Sequence, residues 1–355
     1  IRRERAEQEK RIIMKVSVVI LNWNGCDMLR TFLPSVVRYS EGEGIEVCVA
    51  DNGSTDASVT LLQQEFPSVR TIVLDQNYGF ADGYNLALQQ VDAEYVVLLN
   101  SDVEVTEHWL EPMIAYLDAH PEVAACQPKI RSQRQKEYFE YAGAAGGFID
   151  KYGYPFCRGR IMGVVEKDEG QYDTVIPVFW ATGAALFIRH TDYVNVGGLD
   201  GRFFAHMEEI DLCWRLRSRN REIVCVPQSI VYHVGGATLK KENPHKTFLN
   251  FRNNLVMLYK NLPQEELNKV MRIRTCLDYL AAFNFLLQGH WDNASAVMRA
   301  RKEYKRLCPS FSLSREENMR KKTLNPIPER TKSSILWQFY ARGCKRFSQL
   351  SDLKG

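Results

Sequence analysis

From residue 14 to residue 130 short apolar runs alternate with amphipathic segments. The β-branched run Val16-Ser17-Val18-Val19-Ile20-Leu21 predicts a strand and ends in the turn-rich Asn22-Trp23-Asn24-Gly25. Apolar residues at helical spacing from Met28 to Tyr39 predict a helix. A second strand, Ile45 to Ala50, runs into Asp51-Asn52-Gly53-Ser54-Thr55-Asp56, where Asp56 is placed to cap a helix over Ala57 to Phe66. A third strand covers Val69 to Leu74, and the loop Asn77 to Gly83 opens a helix ending near Gln90. Tyr95 to Leu99 is apolar at every position, as in a strand buried on both faces. A helix from about Glu107 to Ala119 and a strand from Val123 to Ile130 complete the series. The rhythm predicts an α/β fold with a doubly wound, mostly parallel sheet.

Beyond residue 130 the pattern loosens. Tyr141 to Gly163, rich in Gly and Tyr, reads as an irregular excursion or a hairpin. Val178 to Arg189 predicts a strand whose small Thr182-Gly183-Ala184-Ala185 segment lets a ligand approach the backbone. From Pro244 the pattern is helical, with helices over Lys246–Lys260, Gln264–Gln288 and Asn293–Arg306. Three regions are expected: an N-terminal extension over 1–14, a nucleotide-binding catalytic domain over 15–240, and a helical, basic C-terminal region over 241–355.

Charge changes this picture most in the last region. The chain carries +3 overall, yet residues 299–355 hold fifteen Lys or Arg against five Asp or Glu, leaving −7 for residues 1–298. Phe311, Leu336, Trp337, Phe339, Tyr340 and Phe347 are interleaved with these cations. The combination predicts either a solvated helical surface or contact with an anionic membrane surface, with no nucleic-acid role expected. Nine cysteines without a C-x-x-C pair point to reduced thiols. No secretory leader is recognisable, and the apolar stretch Leu277 to Leu287 is too short to span a bilayer. The expected setting is cytoplasmic, with peripheral contact at the inner face of the plasma membrane.

Candidate chemistry gathers at strand ends, where open α/β sheets bind ligands. Asn100 and Asp102 alternate, so in extended geometry they project the same way and offer two hard oxygen donors to Mg²⁺ or Mn²⁺; an ordinary strand-to-turn ending is the competing reading. The first β-α turn has a single glycine and no Walker lysine, which excludes a dinucleotide or P-loop cradle. Asp51 could accept a hydrogen bond from a pyrimidine imide, or simply make a turn. Glu208, Glu209 and Asp211 lie within four positions beside an apolar surface, as helix-cap acids or as a general base with a raised pKa. His233, at a strand end, is a structural histidine or a further metal ligand, with His206 as the competing choice.

Taken together, Val18-Val19-Ile20-Leu21-Asn22-Trp23-Asn24, Asp51 to Asp56, Asn77-Tyr78-Gly79-Phe80, Leu98 to Asp102, Gly183-Ala184-Ala185, Gly197 to Asp200, Phe203-Phe204 with Glu208 to Leu212, and Tyr232-His233 resemble the family 2 glycosyltransferases, particularly the rhamnosyltransferase-like branch. The resemblance covers about residues 15–235. It implies a GT-A fold and transfer, with inversion, of a sugar such as rhamnose from dTDP or a hexose from UDP to a saccharide or lipid-linked acceptor in cell-surface polysaccharide synthesis. It also implies a donor site of Asn22, Asn24, Asp51, Asn77, Gly79, Phe80, Asn100 and Gly183. A divalent cation would sit at Asp102, Asn100 and His233, and the base would be Glu209, flanked by Glu208 and Asp211. Two positions depart from the family pattern: Asn100 stands at the first acid of D-x-D, and Glu209 stands where an Asp is usual. A nucleotidyltransferase and a catalytically inactive binding relative are the alternatives, and the former would want a basic triphosphate loop that Asn22-Trp23-Asn24-Gly25 lacks.

Overall fold

The computed structural model describes residues 14–235 and 243–350. All of the expected N-terminal extension except Met14 lies outside the described residues, as does the expected boundary at residue 240.

Strands β1 (Met14–Asn22), β2 (Ile45–Asn52), β3 (Arg70–Leu74) and β4 (Ala93–Asn100) alternate with helices α1 (Cys26–Tyr39), α2 (Ser58–Glu65) and α3 (Gly79–Leu88). After β4 come β5 (Val103–Val105), α4 (Glu111–Ala119) and β6 (Val123–Ser132). Four short strands follow, β7 (Gly147–Ile149), β8 (Pro155–Cys157), β9 (Arg160–Ile161) and β10 (Val164–Val165). The chain then forms β11 (Ile176–Pro177), β12 (Ala185–Arg189), α5 (His190–Asn195), α6 (Glu208–Ser218) and β13 (Glu222–His233).

The main sheet has the order β11-β13-β6-β12-β4-β1-β2-β3, with β5 paired to β13. Its N-terminal half, β3-β2-β1-β4, is parallel as the alternating pattern requires. The sheet as a whole is mixed, because β12 enters antiparallel between β4 and β6, and β5 and β11 pair antiparallel with β13. Side chains of β4 alternate between two cores. Val96 and Leu98 join Ala81, Tyr84, Leu212 and Trp214 on one face. Tyr95, Val97 and Leu99 join Leu29, Leu33, Leu61 and Met113 on the other. Burying each such side chain contributes roughly 1.5–3 kcal/mol, so helices on both faces hold the strand ends in place.

Local departures have local causes. Helix α4 starts at Glu111 rather than near Glu107, with Pro112 in its first turn where a missing N–H costs nothing. The expected excursion 141–163, extended to Val165, holds an antiparallel sheet of its own, β10-β9-β8-β7. Residues 178–180 pair with that region, Phe179 N–H donating to Gly147 O at 2.8 Å, so β12 begins only at Ala185.

Four C-terminal helices follow: α7 (Pro244–Asn261), α8 (Gln264–Leu287), α9 (Trp291–Leu307) and α10 (Ser312–Lys321). Residues 323–350 then strap back across the sheet domain. Arg217 makes a buried bidentate pair with Glu329, and Ile335 N–H donates to Asp150 Oδ2 at 2.9 Å. Phe347 packs with Phe148 at 5.0 Å between ring centroids. Phe311, Phe339 and Phe347 are therefore core residues, while Trp337 and Tyr340 are exposed. Among the described residues no helix is long and apolar enough to cross a membrane, and all nine cysteines are free.

Candidate active site

The crevice at the carboxyl ends of β1, β2 and β4 is built by polar residues that hold one another. Asn22, fully buried, donates to Asp51 Oδ1 at 3.0 Å and to Ser54 Oγ at 3.3 Å. Asp51 Oδ2 accepts the Ser54 N–H at 2.9 Å. Asn24 Oδ1 accepts the N–H groups of Thr55 at 2.8 Å and Asp56 at 3.3 Å. The Asp56 carboxylate accepts from Cys26 N–H and from Ser58 N–H, both at 3.0 Å, and so caps α1 and α2 together. Gly53, at φ +70°, turns the chain so close to Gln76 that a Cβ there would lie 2.5 Å from its backbone. Asn52, unflagged in sequence, donates to Asn77 Oδ1 at 3.1 Å and to Gly79 O at 3.0 Å, and it accepts from Tyr78 N–H. Asn22, Asn24, Asp51, Asn77 and Gly79 are thus brought together as one braced rim.

The opposite wall is the small segment 182–184. Asn100 N–H donates to Ala184 O at 3.0 Å, which brings the end of β4 to this wall. A Cβ on Gly183 would lie 3.4 Å from the Phe80 ring and 3.7 Å from Glu209 Cβ. Phe80, Gly183 and Glu209 are therefore neighbours, beside the strand end that carries Asn100 and Asp102.

Asp102 Oδ1 lies 3.1 Å from His233 Nε2, and Asn100 Nδ2 lies 3.5 Å from the same nitrogen. Burial opposes charge on the Asp102 carboxyl, but the hydrogen bond and charge of His233 outweigh it and hold its pKa below the usual range. Burial likewise opposes the His233 imidazolium, yet Asp102 and Glu140 push its pKa up to about 10. Glu140, absent from the sequence reading, is buried 3.6 Å from His233 Nδ1 and accepts the Ala142 N–H.

A divalent cation bound here would displace the proton that Asp102 and His233 share, leaving a carboxylate and a neutral imidazole as donors. Two ligands about 2.1 Å from an octahedral ion, at right angles, are about 3.0 Å apart, close to the Asp102–His233 separation. Among the described residues no three His, Cys, Asp or Glu side chains form a complete cage. Mg²⁺ characteristically takes only one or two carboxylates and completes its shell with water and substrate phosphate.

The acid cluster stands at the start of α6 on a strained loop. Phe204, His206 and Met207 all have positive φ, at +67°, +71° and +75°. Asn253, buried on α7, donates to the carbonyls of Phe203, Ala205 and His206 at 2.8–2.9 Å, and Arg252 adds a bond to Phe203 O at 2.8 Å. Glu208 is buried, Glu209 half-buried, and one oxygen of each lacks a partner among the described residues. Burial and the neighbouring Glu209 charge raise the Glu208 pKa well above the ordinary range, and burial raises that of Glu209. Asp211 is placed differently. It is fully buried, with Lys260 Nζ at 2.8 Å, Arg215 Nε at 3.0 Å and Asn261 Nδ2 at 2.8 Å, so all its hydrogen-bonding capacity serves the packing of α6 on α7. His206 lies half-buried in the strained loop, its pKa pushed down to about 4 by burial and by Lys246 and His245.

A mixed sheet closed by helices on both faces, with its site at the strand ends, is the GT-A architecture of nucleotide-sugar glycosyltransferases. Among solved structures, GalNAc-T7 with UDP, GalNAc and Mn²⁺ aligns with a TM-score of 0.54 at 14% identity, over 91% of this chain and 60% of that one. S. aureus TarS in complex with UDP aligns with a TM-score of 0.52 at 15% identity, over 87% of this chain and 89% of that one. These likenesses show the fold. Residues 17–179 match the family model "Glycosyl transferase family 2". Relatives of the chain include the Mycobacterium tuberculosis N-acetylglucosaminyl-diphospho-decaprenol L-rhamnosyltransferase, 27% identical over 61% of this chain and 75% of that protein. Another is the Escherichia coli rhamnosyltransferase WbbL, 26% identical over 44% of this chain and 61% of that protein.

Proposed function

We propose that the protein is a metal-dependent, inverting glycosyltransferase of cell-surface polysaccharide synthesis, using a nucleotide-diphosphate sugar such as dTDP-rhamnose or a UDP-hexose. The carrying observation is the meeting of Glu209, Gly183 and Phe80 beside the strand end that bears Asn100 and Asp102. The rim from Asn22 to Phe80 is the proposed donor-binding face, with Asp51 at its floor beneath the nucleotide base. Asp102 and His233, with the Asn100 amide, would hold the divalent cation. Bound there, the cation supplies charge neutralisation at the departing diphosphate.

Glu209 accepts the proton of the acceptor hydroxyl as that oxygen bonds to the anomeric carbon, and the bond from that carbon to the diphosphate oxygen breaks on the opposite face. One carboxylate suffices for a single displacement, and a raised pKa suits a base that gains a proton. Glu208 beside it keeps the proton-rich character of the pair. The rhamnosyltransferase relatives support a saccharide or lipid-linked acceptor, and with that acceptor the working location is the cytoplasmic face of the plasma membrane.

A thermal-shift panel of nucleotide sugars tests this, since a ligand that binds only the native state raises its stability by RT ln(1 + [L]/Kd). At least one donor should stabilise the protein more with Mn²⁺ than without, and Asp102→Asn should abolish the Mn²⁺ increment. A donor shift indifferent to both metal and Asp102 would contradict metal dependence.

A further inference from the structure

Helices α8 and α9 meet at a turn whose outer face is apolar. Leu280, Phe283 and Leu287 follow one another at helical spacing on α8, and Trp291 and Met298 stand seven apart on α9. Leu287 is 71% exposed and Trp291 69% exposed. Phe283, Trp291 and Met298 line one shallow groove with Tyr279, Ala282, Leu286 and Ala294, and Leu280 and Leu287 add exposed apolar surface on the same helix. The hairpin beneath is stiff: buried Asp278 bridges Arg274 and Arg301, and Ala282, Ala294 and Val297 pack with Phe251 and Phe285. Contiguous exposed apolar surface of this kind marks a contact site.

Three features select its occupant. First, the same helical faces become cationic away from the turn, with exposed Arg272 eight residues before Leu280 and exposed Lys302 four after Met298. Arg299 stands 5.8 Å from the Phe248 ring beside them, and Asp292 is the one acid between Tyr279 and Lys302. An apolar tip with an indole and a phenol, rimmed by cations, matches the interface of an anionic bilayer. Second, Asn293 donates to Thr247 Oγ1 at 2.8 Å, so the start of α7 lies beside this tip. Third, Asn253, which pins the acid loop, is six residues along α7 from Thr247, about 9 Å of helix rise. The tip and the acids thus share one rigid helix.

We infer that the α8–α9 tip docks on an anionic bilayer, seating Leu280, Phe283, Leu287 and Trp291 at headgroup level so that a lipid-linked acceptor reaches Glu209 from the membrane. This rests on the lipid-linked acceptor reading above and assigns the contact to the hairpin instead of the strap at 323–350.

Flotation of the full chain with vesicles of phosphatidylcholine, with and without phosphatidylglycerol, tests it. Wild type should float with the anionic vesicles and less so in high salt. Leu287→Glu/Trp291→Glu should weaken binding roughly tenfold or more, as loss of two buried apolar side chains requires. Arg299→Glu/Lys302→Glu should weaken it less and flatten the salt dependence. Unchanged melting temperatures and unchanged transfer to a water-soluble acceptor would show that fold and site are intact. Absence of transfer to any acceptor by wild type would sink the catalytic reading while leaving vesicle binding to be judged separately. Full binding by Leu287→Glu/Trp291→Glu, loss of binding only on Lys332→Glu/Arg342→Glu/Arg346→Glu, or conversion of a dimer to monomers without loss of lipid binding would overturn the inference.

Discussion

The two walls of the crevice are built on opposite principles. On the proposed donor side, Asn22, Asn24, Asp51, Asn52 and Asn77 brace the ends of β1 and β2 through hydrogen bonds, with Asn22 Oδ1 left without a partner among the described residues. On the acid side, three residues with positive φ lead into two carboxyl groups with unpartnered oxygens. A preorganised rim positions a ligand without reorganising, whereas unsatisfied, desolvated acids are a reservoir that a reaction can use. The strained wall persists because α7 holds it from outside, through Asn253 and Arg252.

Breaking either wall should have graded consequences. The largest effect is expected at the metal-type pair, where Asp102→Asn should lower transfer by roughly 10²–10³-fold and also lower the melting temperature, because it breaks the buried pair with His233. Steady-state kinetics at limiting and saturating Mn²⁺ checks this.

Asn253→Ala comes next. It removes three bonds to the carbonyls of the acid loop while touching no donor-side residue. Turnover should fall about 10–100-fold and stability by about 1–3 kcal/mol, with donor affinity retained in calorimetric titration. Equal loss of donor affinity would mean that the two walls are not separable.

Glu208→Gln sharpens the contrast from the other direction, because it should stabilise. The folded-state pKa of Glu208 lies above its unfolded value, so the folded protein holds that proton more tightly. Its contribution to stability is full below the unfolded value of about 4.3 and is lost as pH rises through the raised value. At pH 7 the variant should therefore be more stable than wild type, by about 1–2 kcal/mol, with the gap closing below pH ~4. Denaturant titrations across that pH range measure it.

Asn24→Ala is the mildest change. It removes the carbonyl that organises Thr55 and Asp56, and should weaken donor binding several-fold with stability lower by about 1 kcal/mol.

The donor wall was legible because its residues sit where a strand pattern stops, and strand ends in α/β sheets face the crevice. The capping place of Asp56 was likewise readable, whereas Asp102 was expected in extended geometry with Asn100 and lies instead in the turn Ser101-Asp102 after β4 ends. The acid wall was only half legible. Glu208 and Glu209 stand out as acids among aromatics, but Glu140 reaches His233 from an aperiodic stretch 93 residues away. Asn253 carried one unread signal, since an Asn-Asn pair inside a helix is unfavourable unless both side chains find partners. Composition also misjudged 299–355, because it counts aromatics without revealing which are buried. Phe311, Phe339 and Phe347 fill the core, and the exposed apolar face lies earlier, on α8 and α9.

The central claim is that Glu209 is the base on the acid wall. The direct measurement is the pH dependence of single-turnover sugar transfer by wild type, Glu209→Gln and Glu208→Gln, with donor affinity measured in parallel. Wild-type rate should rise with pH through a value above the ordinary glutamate range. Glu209→Gln should bind donor normally, lose roughly 10²–10⁴-fold in rate and lose that pH dependence, while Glu208→Gln keeps it. A mild Glu209→Gln beside a crippled Glu208→Gln, or an unchanged pH profile in Glu209→Gln, would contradict the account.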